Sequence, residues 1–137
     1  MPMFSDESRH NLSTCHIDLQ VIFFEVIRSV DCTIIQGYRN EDDQNLAFST
    51  GRTTLKWPDS KHNVQPSHAV DVAPYPIQWD NKNRFYWFAG FVMGVAEKLK
   101  VEGKINHGLR YGGDWTGNHY FDDKHGLVDL VHFELLI

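Results

Sequence analysis

Apolar residues crowd one early segment of the chain, "HIDLQVIFFEVIRSV" (16–30), at Ile17, Leu19, Val21, Ile22, Phe24, Val26 and Ile27. That density predicts a buried helix, with Asp18 placed to favour the positive end of its dipole. "CTIIQGY" (32–38) is short, β-branched and closed by Gly37, which predicts a strand. "NEDDQNLAFSTG" (40–51) opens on Asn and acids and ends on Gly, the start and stop signals of a second helix. Prolines and polar residues make 52–67 a loop, and "HAVDVAP" (68–74) reads as a strand that stops at Pro74. "NRFYWFAGFVMGVAEKLKV" (83–101) predicts the strongest helix, with aromatics to one side and Glu97, Lys98 and Lys100 at its end. "INHGLRYGGDW" (105–115) predicts a short strand and a glycine turn, and "VDLVHFELLI" (128–137) a terminal strand. Residues 1–15 are expected as an N-terminal arm, partly extended. Helices and strands mix without regular βαβ alternation. The expected class is therefore α+β: a small mixed or antiparallel sheet with flanking helices in a single domain over residues 1–137.

Composition narrows the possibilities. The chain has 137 residues, of which 42% are hydrophobic and 13% aromatic, enough for one domain with a sizeable core. Its net charge of −5 argues against nucleic acid as a partner. Cys15 and Cys32 form no CxxC pair, so they are expected as two buried free thiols in a reducing compartment rather than as metal ligands. The first residues, "MPMFSDESRHNLS", lack the basic and apolar regions of a signal peptide. No apolar run approaches the roughly 20 residues that span a bilayer. The expectation is a chain made in the cytoplasm without membrane insertion.

The histidines change the picture. Two of the eight, His62 and His68, fall within ten residues of Asp71, and another, His132, lies in the terminal strand beside Glu134. In a strand over 68–74, Asp71 shares a face with Ala69 and Ala73, whereas His68 points the other way. His62, in the preceding loop, can fold back over the Asp71 face, so His62 pairs with Asp71 and His68 is a bystander. His132 and Glu134 share a face of their strand. Asp129 reaches the same place only if the chain bends near 129–131. A zinc hydrolase needs three protein ligands, an open position for water, and a carboxylate to accept the proton of that water. His62, Asp71 and His132 supply the ligands. Asp129 or Glu134 supplies the base, and the pattern alone leaves that choice open.

Ser60-Lys61-His62, then Ala69-Val70-Asp71, then Asp129-Leu130-Val131-His132-Phe133-Glu134 occur in order along the chain. This arrangement resembles the zinc D-alanyl-D-alanine carboxypeptidase and L-alanyl-D-glutamate endopeptidase family, which includes phage endolysins. "TIIQGYRN", "EDDQNLAFSTGRT" and "LRYGGDW" resemble further segments of that family, so the likeness spans about residues 17–135. Eight residues separate His62 from Asp71 where many members have six, and Asp129 stands where several dipeptidases have Glu. The resemblance implies one zinc per chain on His62, Asp71 and His132, with Asp129 as general base and Arg39 facing substrate. It leaves Ser60 to bond either a substrate carboxylate or a backbone amide, and makes Glu134 a partner that orients an imidazole. Trp57, Tyr75, Trp79 and Trp115 are candidate cleft walls. His107, His119 and His125 are expected as surface residues, and Asp122 and Asp123 as a solvated loop. The activity implied is cleavage of the peptidoglycan stem, most specifically the L-alanyl-D-glutamate bond, by a monomeric endolysin. Such an enzyme acts on the periplasmic wall once the inner membrane is permeabilised. The rivals are a D-alanyl-D-alanine carboxypeptidase with the same site and a non-catalytic zinc-dependent wall-binding module.

Overall fold

The computed structural model describes residues 1–120 and 128–137. Helix α1 (Asp6–Ser13) and helix α2 (Ile17–Val26) precede strand β1 (Cys32–Gln36) and helix α3 (Glu41–Ser49). A single 3-10 turn (Lys61–Asn63) leads to β2 (Ala69–Pro74) and the long helix α4 (Lys82–Val101), followed by β3 (Leu109–Tyr111) and β4 (His132–Leu135). The four strands form one antiparallel sheet in the order β1-β2-β4-β3. This is the expected α+β class.

The chemistry of each segment accounts for its element. In α2, Leu19, Ile22, Phe23 and Val26 recur at helical spacing and are fully buried. In α4, Phe85, Phe88, Ala89, Val92, Ala96 and Leu99 make the same kind of stripe over about four turns. Its aromatics do not all lie on that stripe, since Trp87 is exposed and stacks on Phe91. Asn40 caps α3 by accepting a bond from the Asp43 amide, and Glu41, Asp42 and Asp43 place negative charge in its first turn. The arm expected at the N-terminus contains α1, capped by Ser5, whose hydroxyl accepts from the Ser8 amide.

The sheet has two unlike faces. Val70, Val72, Phe133 and Leu135 belong to the core cluster with the apolar stripes of α2 and α4. Alternation turns Asp71, His132 and Glu134 to the other face, and β2 pairs with β4 so that Asp71 lies opposite His132. Gly37 is required where the end of β1 passes α1, because a Cβ there would overlap the Asn11 carbonyl oxygen and the Thr14 hydroxyl. Cys15 and Cys32 are free and buried, and burial pushes both thiols up to about 12.

Candidate metal centre

His62, Asp71 and His132 converge on the polar face of the sheet, with one potential ligand atom from each lying within 4.8 Å of the others. His62 Nε2 is 3.2 Å from Asp71 Oδ1, and His132 Nδ1 is 3.3 Å from the same oxygen. The ring centroids of the two histidines are 5.1 Å apart. All three side chains are buried.

Each ring is held from behind. His62 Nδ1 lies 2.7 Å from the Gly37 carbonyl oxygen, which can only accept. His132 Nε2 lies 2.8 Å from Glu134 Oε1. With those nitrogens donating, a neutral ring turns its lone pair toward Asp71 from Nε2 of His62 and from Nδ1 of His132. Metal-binding histidines are oriented by acceptors in this way. Two lone pairs and a carboxylate facing one point demand a positive charge. A proton on His132 can meet that demand: burial lowers the pKa of the ring, but its bonds to Asp71 and Glu134 outweigh that and raise it to about 9. Burial raises the pKa of Asp71, yet His62 and His132 hold its carboxyl far below the usual range. The donor set, two imidazoles and one carboxylate, suits a zinc ion with an open position.

The loop bearing His62 is more ordered than its composition predicts. Ser60 caps the 3-10 turn: its hydroxyl accepts from the His62 amide, and its own amide donates to Asn63 Oδ1. Ser60 therefore serves the backbone at the wall of the cleft. The long His62–Asp71 connection is taken up against the junction of α1 and α2, where Ser67 N donates to Thr14 O and His16 N to Ser67 O. His68 lies away from the centre, with its ring 5.9 Å from that of His16.

Asp129 reaches the centre through the bend that the sequence required. The His132 amide donates to Asp129 O, and the Asp129 amide to Gly112 O, so the strand proper starts only at His132. A Cβ at Gly112 would overlap the Asp129 carbonyl, so this glycine permits the close approach. Asp129 Oδ2 stands 4.0 Å from His132 Nδ1, and burial together with the charge of Asp71 raises the pKa of its carboxyl. Glu134 is committed elsewhere. Its Oε1 holds His132, and its Oε2 accepts from Arg110 Nη2 at 2.8 Å and pairs with Lys61 Nζ at 3.2 Å. Burial raises its pKa, but His132 and Arg110 pull it down to about 2.

Arg39 projects from the segment after β1. Its Nη2 is 3.5 Å from Asp71 Oδ2, while Nε and Nη1 donate to Gln36 and Gln44. No acid of "NEDD" holds it. Gln44 has a site role that the sequence did not disclose. This fully buried amide accepts from Arg39 and Asn63 and donates to the Leu55 carbonyl. Arg110 is the second such residue. It faces Glu134 across the β3–β4 pair, and its signal was present in the alternation of "LRY" opposite "HFEL".

A cleft of about 430 Å³ opens onto His62, His132 and Asp129. Trp115 lines it, whereas Tyr75 and Trp79 are exposed outside that lining. His119 is exposed as expected. Asp122, Asp123 and His125 lie outside the described residues. His107 is more than a surface residue. With His16 and Asp18 it forms a second His/Asp group, but there the donors are already in use. Asp18 Oδ2 takes the amides of Asn106 and His107 and the His107 ring, and His16 Nδ1 accepts the Asp18 amide at the start of α2.

The phage L-alanyl-D-glutamate peptidase family model matches residues 2–136. The chain belongs to that family. Among solved structures, this family member is similar to the Serratia marcescens L-Ala D-Glu endopeptidase ChiX, with a TM-score of 0.67 at 22% identity. The match covers 97% of this chain and 90% of that one, and it supports the fold. No curated protein sequence matches the chain. Family membership makes the protein a peptidoglycan L-alanyl-D-glutamate endopeptidase of phage type, a hydrolase that acts on the cell wall.

Proposed function

We propose that this peptidase works with one zinc ion held by His62, Asp71 and His132, with Asp129 as general base and Arg39 facing the substrate. The observation that carries the reading is the convergence of three acceptors whose outer atoms are tied to Gly37, Glu134 and Arg39. A zinc ion there would supply Lewis acidity for the scissile carbonyl and a lowered pKa for a water. Asp129, beside His132 and paired with no lysine or arginine among the described residues, takes the proton of the attacking water and passes it to the leaving amine. Arg39 places a fixed positive charge where the carbonyl oxygen becomes an anion. Glu134 keeps the His132 ring oriented. As an endolysin the protein would act as a monomer, made in the host cytoplasm and admitted to the periplasmic wall after membrane permeabilisation. Among the described residues no helix is long and apolar enough to cross a membrane.

Two measurements on the purified protein test this. Metal analysis should find about one zinc per chain. His62→Ala should lose most of that zinc and the activity, while His68→Ala keeps both. Zinc lost from His68→Ala and retained by His62→Ala would transfer the ligand role. End-group analysis of digested sacculi should find new N-terminal glutamate. Release of D-alanine without it would indicate a carboxypeptidase.

A further inference from the structure

Arg110 stands at one wall of the cleft with unused capacity. A guanidinium offers five N–H donors. Among the described residues its hydrogen bond is Nη2 to Glu134 Oε2, and the buried Nε has no hydrogen-bond partner there. The guanidinium lies over Trp115, 5.5 Å from its ring centroid, and its side chain remains 38% exposed. Lys61 shares the same Glu134 oxygen at 3.2 Å. Two cations thus share one carboxylate oxygen, and Glu134 gives its other oxygen to His132. The local balance has positive charge to spare in a chain whose net charge is −5. Arg39 is a separate cation, held by Gln36, Gln44 and Asp71 and assigned above to the scissile carbonyl.

The wall peptide supplies the missing charge. In an L-alanyl-D-glutamate stem the chain continues through the γ-carboxyl of glutamate. The α-carboxylate is then free, one residue past the bond that is cut. Glu134 bridges Arg110 to the ring of His132, and Trp115 packs against both, so Arg110 lies about one carboxylate's width from the reacting centre. We propose that Arg110, with Lys61 beside it, forms the subsite that binds this free α-carboxylate and makes the peptidase selective for D-glutamate over its α-amide. The inference rests on the assignment of the reacting centre to His62, Asp71 and His132. Charge-assisted hydrogen bonds form with the carboxylate, and a neutral carboxamide there leaves the cations uncompensated.

The test compares two synthetic stem peptides that differ only in that group, one with D-glutamate and one with its α-carboxamide, both linked through the γ-carboxyl. The wild-type protein loaded with zinc should favour the carboxylate by roughly 10–100-fold in kcat/KM, the size expected of hydrogen bonds to a charged group. Most of the difference should lie in KM. Arg110→Gln should bring the two substrates near parity by weakening the carboxylate substrate. Arg110→Lys should restore part of the preference. A general loss of activity through Glu134 and His132 would lower both substrates together and leave the ratio readable. If Arg110→Gln is inactive on both, the ratio measured with Arg110→Lys and with Lys61→Met decides, and it must fall in each. Equal cleavage of both peptides by the wild type, or an unchanged ratio in the variants, overturns the subsite alone. Cleavage of neither peptide by zinc-loaded wild type overturns the assigned reaction as well.

Discussion

Asp129 and Glu134 are both carboxylates within reach of His132, yet their surroundings give them different work. Glu134 is buried, accepts from an arginine, a lysine and an imidazole, and is held at about 2, so it is a poor proton acceptor. Asp129 is about one-third exposed, pairs with no lysine or arginine among the described residues, and has a raised pKa. Asp129→Asn should therefore lower kcat by about 10²–10⁴-fold while zinc content is retained. Glu134→Gln should cost less, about 10–100-fold in activity or zinc affinity. Steady-state rates on a stem peptide, read beside metal analysis of each variant, check both. An active Asp129→Asn with an inactive, zinc-loaded Glu134→Gln would reverse the two roles.

At the scale of elements, two buried polar groups tie together segments that are distant in sequence. Gln44, in the first turns of α3, joins Arg39 after β1, Asn63 in the 3-10 turn and Leu55 in the cleft-wall loop. Gln44→Ala leaves those partners unpaired, which should cost about 1–3 kcal/mol of stability and lower kcat more than it raises KM. Gln44→Glu keeps an acceptor for Arg39 and should recover part of the rate. Full kcat in Gln44→Ala would show that Arg39 needs no such support. Asp18 joins the start of α2 to the segment before β3. Burial would raise its pKa, but bonds from His107 and Asn106 leave it below its ordinary value of 3.8. The unfolded chain thus binds this proton more readily. The contribution of Asp18 is present above about pH 4 and is lost as the pH falls below that. Asp18→Asn should lower stability by about 1.5–3 kcal/mol at pH 7, and the gap from wild type should narrow in acid. Urea unfolding at pH 7 and at pH 3 measures this. An equal gap at both values would mean that the ionised form carries no advantage.

At the scale of the whole molecule, the proposed zinc would cross-link the 3-10 turn, β2 and β4, which are joined through eight residues on one side of Asp71 and sixty on the other. A ligand that binds only the folded state at about 100 times its dissociation constant adds about 2.7 kcal/mol. For a domain of this size that corresponds to a Tm about 10 °C higher. Calorimetry with and without a chelator should show a fall of that order. His68→Ala should behave as wild type, and His132→Ala should no longer respond. A chelator without effect on the wild type would argue against a metal held across these strands.

Several features could be read from the chain itself because they depend on neighbours in sequence. Helical spacing marked α2 and α4, capping acids marked α3, and alternation turned His68, just before β2, away from the face that carries Asp71. The Ser5 cap and the acids of α1 were equally local signals, but "DESRHNLS" has only Leu12 as an apolar anchor, so its periodicity was weak. Tertiary structure alone decided the rest. The register of β2 against β4 sets Asp71 opposite His132, and the bend at 129–131 brings Asp129 to the same candidate site. The three hydrogen bonds of Gln44 and the pairing of Arg110 with Glu134 join residues 5 to 24 positions apart. No periodicity encodes such partners, because a hydrogen bond between distant segments depends on which strand lies beside which. That choice is made by burying the apolar face of the sheet, and the polar face carrying the site follows from it.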